Sequence, residues 1–115
     1  MTNIYNLFKF LEDKKGKKIP FKLKLIHAPE TIEKEDLNVE GTLDLRDTEI
    51  TSLPDNLTVG GSLDLSFTQI SSIPKNLQVE LRIYLKNTPL ADKYSKEQIK
   101  KMIEEKGGYV TAIMM

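Results

Sequence analysis

Cysteine is absent from the 115 residues, which excludes a disulfide framework, a thiolate zinc site and a cysteine nucleophile. Histidine occurs once, as His27. A zinc site built on it would need carboxylates for its other ligands, and a Ser–His–Asp arrangement would rest on a residue beside Ala28 and Pro29. His27 therefore reads as a surface or cap residue. No apolar run approaches the ~20 residues of a membrane-spanning helix, and the N-terminus lacks a basic stretch followed by an apolar one and a small-residue cleavage site. These absences predict a soluble, unprocessed, cytoplasmic protein without a metal or cofactor. Arginine is scarce: fifteen of the seventeen basic residues are lysine, the usage of an AT-rich bacterial or phage genome.

What is present is 39% hydrophobic and 30% charged, enough for one modest core and one domain over residues 1–115. Net charge is zero but zoned. Residues 9–24 hold seven lysines against Glu12 and Asp13, residues 28–64 hold ten acids against Lys34 and Arg46, and residues 65–115 hold eight bases against five acids. The zones sum to +5, −8 and +3, a distribution that steers partners of opposite charge or simply solvates the surface.

Self-similarity organises the chain. Residues 37–56, LNVEGTLDLRDTEITSLPDN, align without a gap on residues 57–76, LTVGGSLDLSFTQISSIPKN, and match at eleven of twenty positions. A third, shorter copy at 77–90 places Leu77, Val79, Ile83, Leu85, Thr88 and Leu90 under Leu57, Val59, Leu63, Leu65, Thr68 and Ile70. One step back, Ile19, Leu23 and Leu25 fall on Val39, Leu43 and Leu45, which predicts a degenerate first coil.

Leucines bracketing Asp44 and Asp64, and Ile83 with Leu85 bracketing Tyr84, alternate as a strand with one buried face does. A strand returning at a fixed offset implies stacked coils and parallel pairing near 43–46, 63–66 and 83–86. Pro54 and Pro74 lack the N–H that a ladder needs and belong to the return side. Gly41 and Gly61 sit where the coil bends into its strand, and Leu81 replaces them in the third copy, which predicts a relaxed bend there.

The pattern L-x-V-x-G-x-L-D-L-x-x-T-x-I-x-x-L-P-x-N over residues 37–90 resembles the leucine-rich repeat, of the short-period kind found in bacterial effectors and in small phage and mobile-element proteins. The resemblance implies an α/β fold: a short leucine-rich repeat solenoid of parallel strands, one per twenty-residue coil, with helical caps at both ends. It also implies a concave strand face that binds partners. The family usually has asparagine where this chain has Thr48, Thr68 and Thr88, and a hydroxyl with one proton predicts different turn bonding, such as a stacked threonine ladder.

The ends read as caps: residues 1–36 as an N-terminal helix and cap coil, residues 91–115 as a C-terminal helical cap and tail. Ile4, Leu7, Phe8 and Leu11 form an apolar stripe within 4–15, with Asn3 as N-cap and Gly16 as stop. Ser95 and Gln98 form a capping box, Tyr94 and Ile99 a staple, and Gly107-Gly108 a stop, predicting a helix over 96–106. Tyr109, Val110, Ala112 and Ile113 continue as a strand or extended tail.

Three chemistries compete for the surface. Asp44 and Asp64 are equivalent strand residues whose carboxylates stack at about the strand spacing, close to that of a retaining glycosidase pair. No phosphate loop, HExxH or nucleophile elbow accompanies them, so no catalytic residue is assigned. Lys14, Lys15, Lys17 and Lys18, continued by Lys22 and Lys24 on a strand's polar face, suit non-specific nucleic-acid attraction. The outward columns Asp44–Asp64–Tyr84, Arg46–Ser66–Lys86 and Asp47–Phe67–Asn87 mix both charges with two aromatics, as protein-recognition surfaces do. The expectation is a non-enzymatic protein-binding module with Asp44, Arg46, Asp64, Ser66, Phe67, Tyr84 and Lys86 at the partner site. The alternatives are a phage or mobile-element inhibitor whose acidic zone occupies a host nucleic-acid enzyme, acting in the host cytoplasm, a small carboxylate hydrolase, and a basic-cap nucleic-acid binder.

Overall fold

The structure, a computed structural model, describes residues 21–115. The helix expected over 4–15 and the lysines Lys14, Lys15, Lys17 and Lys18 lie outside the described residues. The elements are α1 (Phe21–His27), 3-10 turns at Pro29–Thr31 and Lys34–Leu37, β1 (Asn38–Val39), β2 (Leu43–Asp44), β3 (Thr58–Val59), β4 (Leu63–Asp64), β5 (Gln78–Tyr84), α2 (Pro89–Lys93), α3 (Lys96–Glu105) and β6 (Tyr109–Met114).

All six strands join one parallel sheet of a mixed α/β fold. The pairing follows the sequence repeat: Asn38 lies beside Thr58 and Thr58 beside Gln78, while Leu43 lies beside Leu63 and Leu63 beside Ile83. Two short strands per repeat thus make two columns, and β5 spans both. Gly41 at φ 74° and the break after it separate the two strands of the first repeat. Where Leu81 stands instead, the strand runs through and accommodates the extra residue as a bulge between Val79 and Arg82.

Each repeat turns by the same devices. The Asp44 carboxylate accepts from the Arg46 amide at 3.1 Å and the Asp64 carboxylate from the Ser66 amide at 3.0 Å, side-chain bonds that draw the backbone out of the strand. Asp47, Phe67 and Asn87 then adopt the left-handed conformation at φ 59°, 60° and 56°. Thr48, Thr68 and Thr88 each donate a hydroxyl to the carbonyl three residues back, at 2.7, 2.7 and 2.8 Å. No threonine ladder forms, because each hydroxyl's one proton is committed within its own turn. Asn56 and Asn76, also left-handed, turn the chain back, and they form a side-chain ladder, Asn76 Nδ2 donating to Asn56 Oδ1 at 2.9 Å.

The core is the inward row of these repeats, fully buried in the middle: Leu57, Val59, Leu63 and Ile70 have no exposure, against 9% for Ile50 in the first repeat. Gly61 is required by proximity, since a Cβ there would lie 2.7 Å from the Gly41 carbonyl carbon. At the far end the Ser95–Gln98 box closes reciprocally at 3.2 and 2.8 Å, and Ile99 and Ile103 of α3 are completely buried. The chain then returns as β6, in register with β5, Val110 beside Val79 and Ile113 beside Ile83.

Two helices differ from the sequence expectation. Residues 21–27 are helical where a twenty-residue step back places a strand. The alternation of FKLKL is too short to discriminate the two periods, and the helix gains from burying Leu25 and from an ion pair between Lys24 and Asp36 at 3.0 Å, their side chains 2% and 5% exposed. The short α2 begins at Thr88, whose hydroxyl accepts from the Ala91 amide at 3.2 Å, with Pro89 in the first turn. Among the described residues no helix is long and apolar enough to cross a membrane.

Candidate functional site: the outward strand face

The alternation that buries Leu43, Leu45 and their equivalents turns the residues between them to the other side of the sheet. Asp44, Asp64 and Tyr84 fall into register, and β6 adds Met114 beneath Tyr84. Backbone bonds hold the column on: Leu45 N to Asp64 O, Leu65 N to Tyr84 O and Leu85 N to Met114 O, at 2.9, 2.9 and 2.8 Å. Met114 is not legible as a site residue in the sequence, because β6 reaches this column some thirty residues on, outside the repeat.

Arg46 grips Asp44 with both arms of its guanidinium, Nε donating to Oδ1 at 2.9 Å and Nη2 to Oδ2 at 2.8 Å. Its Nε also lies 3.5 Å from Asp64 Oδ2 in the next repeat. The Arg46 side-chain bonds first, and its backbone amide second, hold the Asp44 carboxyl below the ordinary aspartate range. The same pairing holds the guanidinium proton more firmly. A carboxylate kept ionised by a bidentate arginine is a poor proton donor at neutral pH. Its two oxygens are spent on Arg46 and on the turn.

The remaining expected residues separate by exposure. Ser66 is 7% exposed, so it offers a partner almost no surface. Lys86 is exposed and Tyr84 half-buried. Phe67 stands out at 48% exposed, in the left-handed conformation that its equivalents Asp47 and Asn87 adopt with far less steric cost. An aromatic residue there costs about 1–2 kcal/mol relative to a right-handed backbone.

Elsewhere, burial and the bond to Asp36 take Lys24 out of any phosphate-binding surface, correcting its place in the basic run. His27 is exposed, and among the described residues no three His, Cys, Asp or Glu side chains converge as metal ligands do. Comparison with protein-family models, with characterised proteins and with solved structures finds no match to this chain.

Proposed function

We propose that the chain is a short leucine-rich repeat solenoid, cytoplasmic and non-enzymatic, whose concave strand face binds a protein partner. The solenoid reading is supported by strands that pair in parallel at steps of twenty residues, matching the sequence repeat. The observation that carries the binding reading is Phe67: a half-exposed aromatic on a strained backbone, at a position whose equivalents are Asp47 and Asn87. Strain and exposure both cost stability and persist together where function uses them. Half-buried Tyr84 and exposed Met114 add apolar surface in the neighbouring Asp44–Asp64 column, and Asp44, Arg46, Asp64 and Lys86 supply a charged rim that sets register and association rate.

The test is a pull-down from the source cell with the wild-type chain, Phe67→Asn and Ser72→Lys, the last on the exposed return side. The expected result is a partner retained by wild type and Ser72→Lys and lost by Phe67→Asn. Capture that follows Lys14, Lys15, Lys17 and Lys18, vanishes at high salt and ignores Phe67 would overturn this reading in favour of nucleic acid.

A further inference from the structure

The return segments stack through backbone hydrogen bonds donated from each repeat to the one before it. Gln69 N donates to Ile50 O at 3.1 Å, Ser71 N to Thr51 O at 3.2 Å and Leu90 N to Ile70 O at 3.3 Å. Twenty residues before Gln69 and Ser71, the equivalent donors are the amides of Glu49 and Thr51, and neither donates to any acceptor among the described residues. The chain that one more step back would bring there has left the pattern. Pro29–Thr31 is a 3-10 turn, in which the Thr31 amide and hydroxyl both close on the Ala28 carbonyl, at 2.9 and 2.7 Å.

In the place of that missing segment lies a groove of about 840 Å3. Its apolar lining is Leu25 and Ile26 of α1, Ile32 and Leu37, and Ile50 and Leu53 of the first repeat. The groove therefore joins apolar walls to two amides two residues apart, the spacing at which an extended edge presents its donors. Its surroundings hold more acids than bases: Glu49 and the exposed His27 line it, and exposed Glu30, Glu33 and Lys34 neighbour the lining residues Pro29 and Ile32.

We propose that this groove binds an extended peptide segment of a partner protein, apolar at alternate positions and basic at its ends, as an added strand along Glu49–Leu53. Main-chain bonds to Glu49 and Thr51 supply the common affinity, the apolar walls select alternate side chains, and the acidic rim selects charge. The site lies on the return side of the repeats, and its occupation does not depend on Phe67.

The test is amide hydrogen exchange on the full chain titrated with a synthetic peptide of alternating valine and threonine carrying a lysine at each end. Exchange at Glu49 and Thr51 is expected to slow about tenfold or more in wild type and equally in Phe67→Asn, with the same peptide ending in glutamates binding about tenfold more weakly at low salt. Glu49→Lys, an exposed change compatible with folding, is expected to abolish most of that charge preference. Unchanged exchange at both amides with millimolar peptide would overturn the proposal. Slow exchange at both in the peptide-free chain would overturn it in favour of an occupant from residues 1–20, and slowing that grows with protein concentration in favour of a second copy.

Discussion

Phe67 occupies, at φ 60°, the backbone position that Asp47 holds at φ 59° one repeat earlier. The turn geometry is conserved between the repeats while the side chain best suited to it is not. Asparagine there relieves about 1–2 kcal/mol of backbone strain, and loses about 1 kcal/mol from the half of the ring that is buried. Phe67→Asn should therefore change stability by less than about 1 kcal/mol. Valine, more apolar but β-branched, should be the worse replacement. Urea denaturation of the two variants checks the order; a more stable Phe67→Val would show that apolar burial, not backbone strain, dominates at this position.

Gly61 and Gly41 are predicted to resist substitution for different reasons. An added Cβ at Gly61 meets three backbone atoms of the neighbouring repeat at 2.7–2.9 Å, and forcing the two apart should cost about 1–3 kcal/mol. At Gly41 nothing lies within 4 Å, and the penalty of alanine comes from φ 74° alone, about 1 kcal/mol. Gly60→Ala, whose nearest contact is 3.4 Å, is the control and should stay within about 0.5 kcal/mol of wild type. Chemical denaturation of the three alanine variants ranks them.

The threonine turns differ in burial, and so should their loss. Thr68→Val removes a hydroxyl from a fully buried residue and leaves the Leu65 carbonyl without its 2.7 Å donor, a cost of about 1–3 kcal/mol. Thr48→Val makes the same chemical change at a half-buried site, where water replaces the lost bond, and should cost less. Equal losses from thermal unfolding would mean that local turn geometry rather than burial sets the value.

Asp44 predicts a small acid sensitivity. Its carboxyl is held below the ordinary aspartate range by Arg46 in the folded chain, so the unfolded state binds the proton more readily. The stabilisation is present above the unfolded-state value and fades as pH falls through the folded one. With the Asp44 side chain 45% exposed, screening by water keeps the effect small. An NMR titration should find the Asp44 midpoint low in wild type and moved upward in Arg46→Met. An unmoved midpoint would show that the backbone amide bond of Arg46, which that variant keeps, causes the shift by itself.

The repeat, its register and the inward row from Val39 to Leu90 were legible in the sequence. A twenty-residue translation of identical side-chain chemistry leaves parallel stacking as the arrangement that buries every copy alike. The capping box of α3 was legible for a local reason, two side chains answering two orphan amides within one turn. The helix at Phe21–His27 was not, because five alternating residues satisfy both periods and the choice fell to a buried Lys24–Asp36 pair twelve residues apart.

The outward position of Asp44, Asp64, Tyr84 and Phe67 followed from strand alternation alone. Their working state did not. Arg46 bridging two acids, Ser66 buried, Met114 joining the column and Phe67 held left-handed all depend on distances between repeats or on the return of β6. The sequence by itself determined which residues share a column, since that is set by period. Only the tertiary structure decided which of them remain exposed and free of hydrogen-bond commitments, since burial and hydrogen bonding are properties of the assembled neighbours.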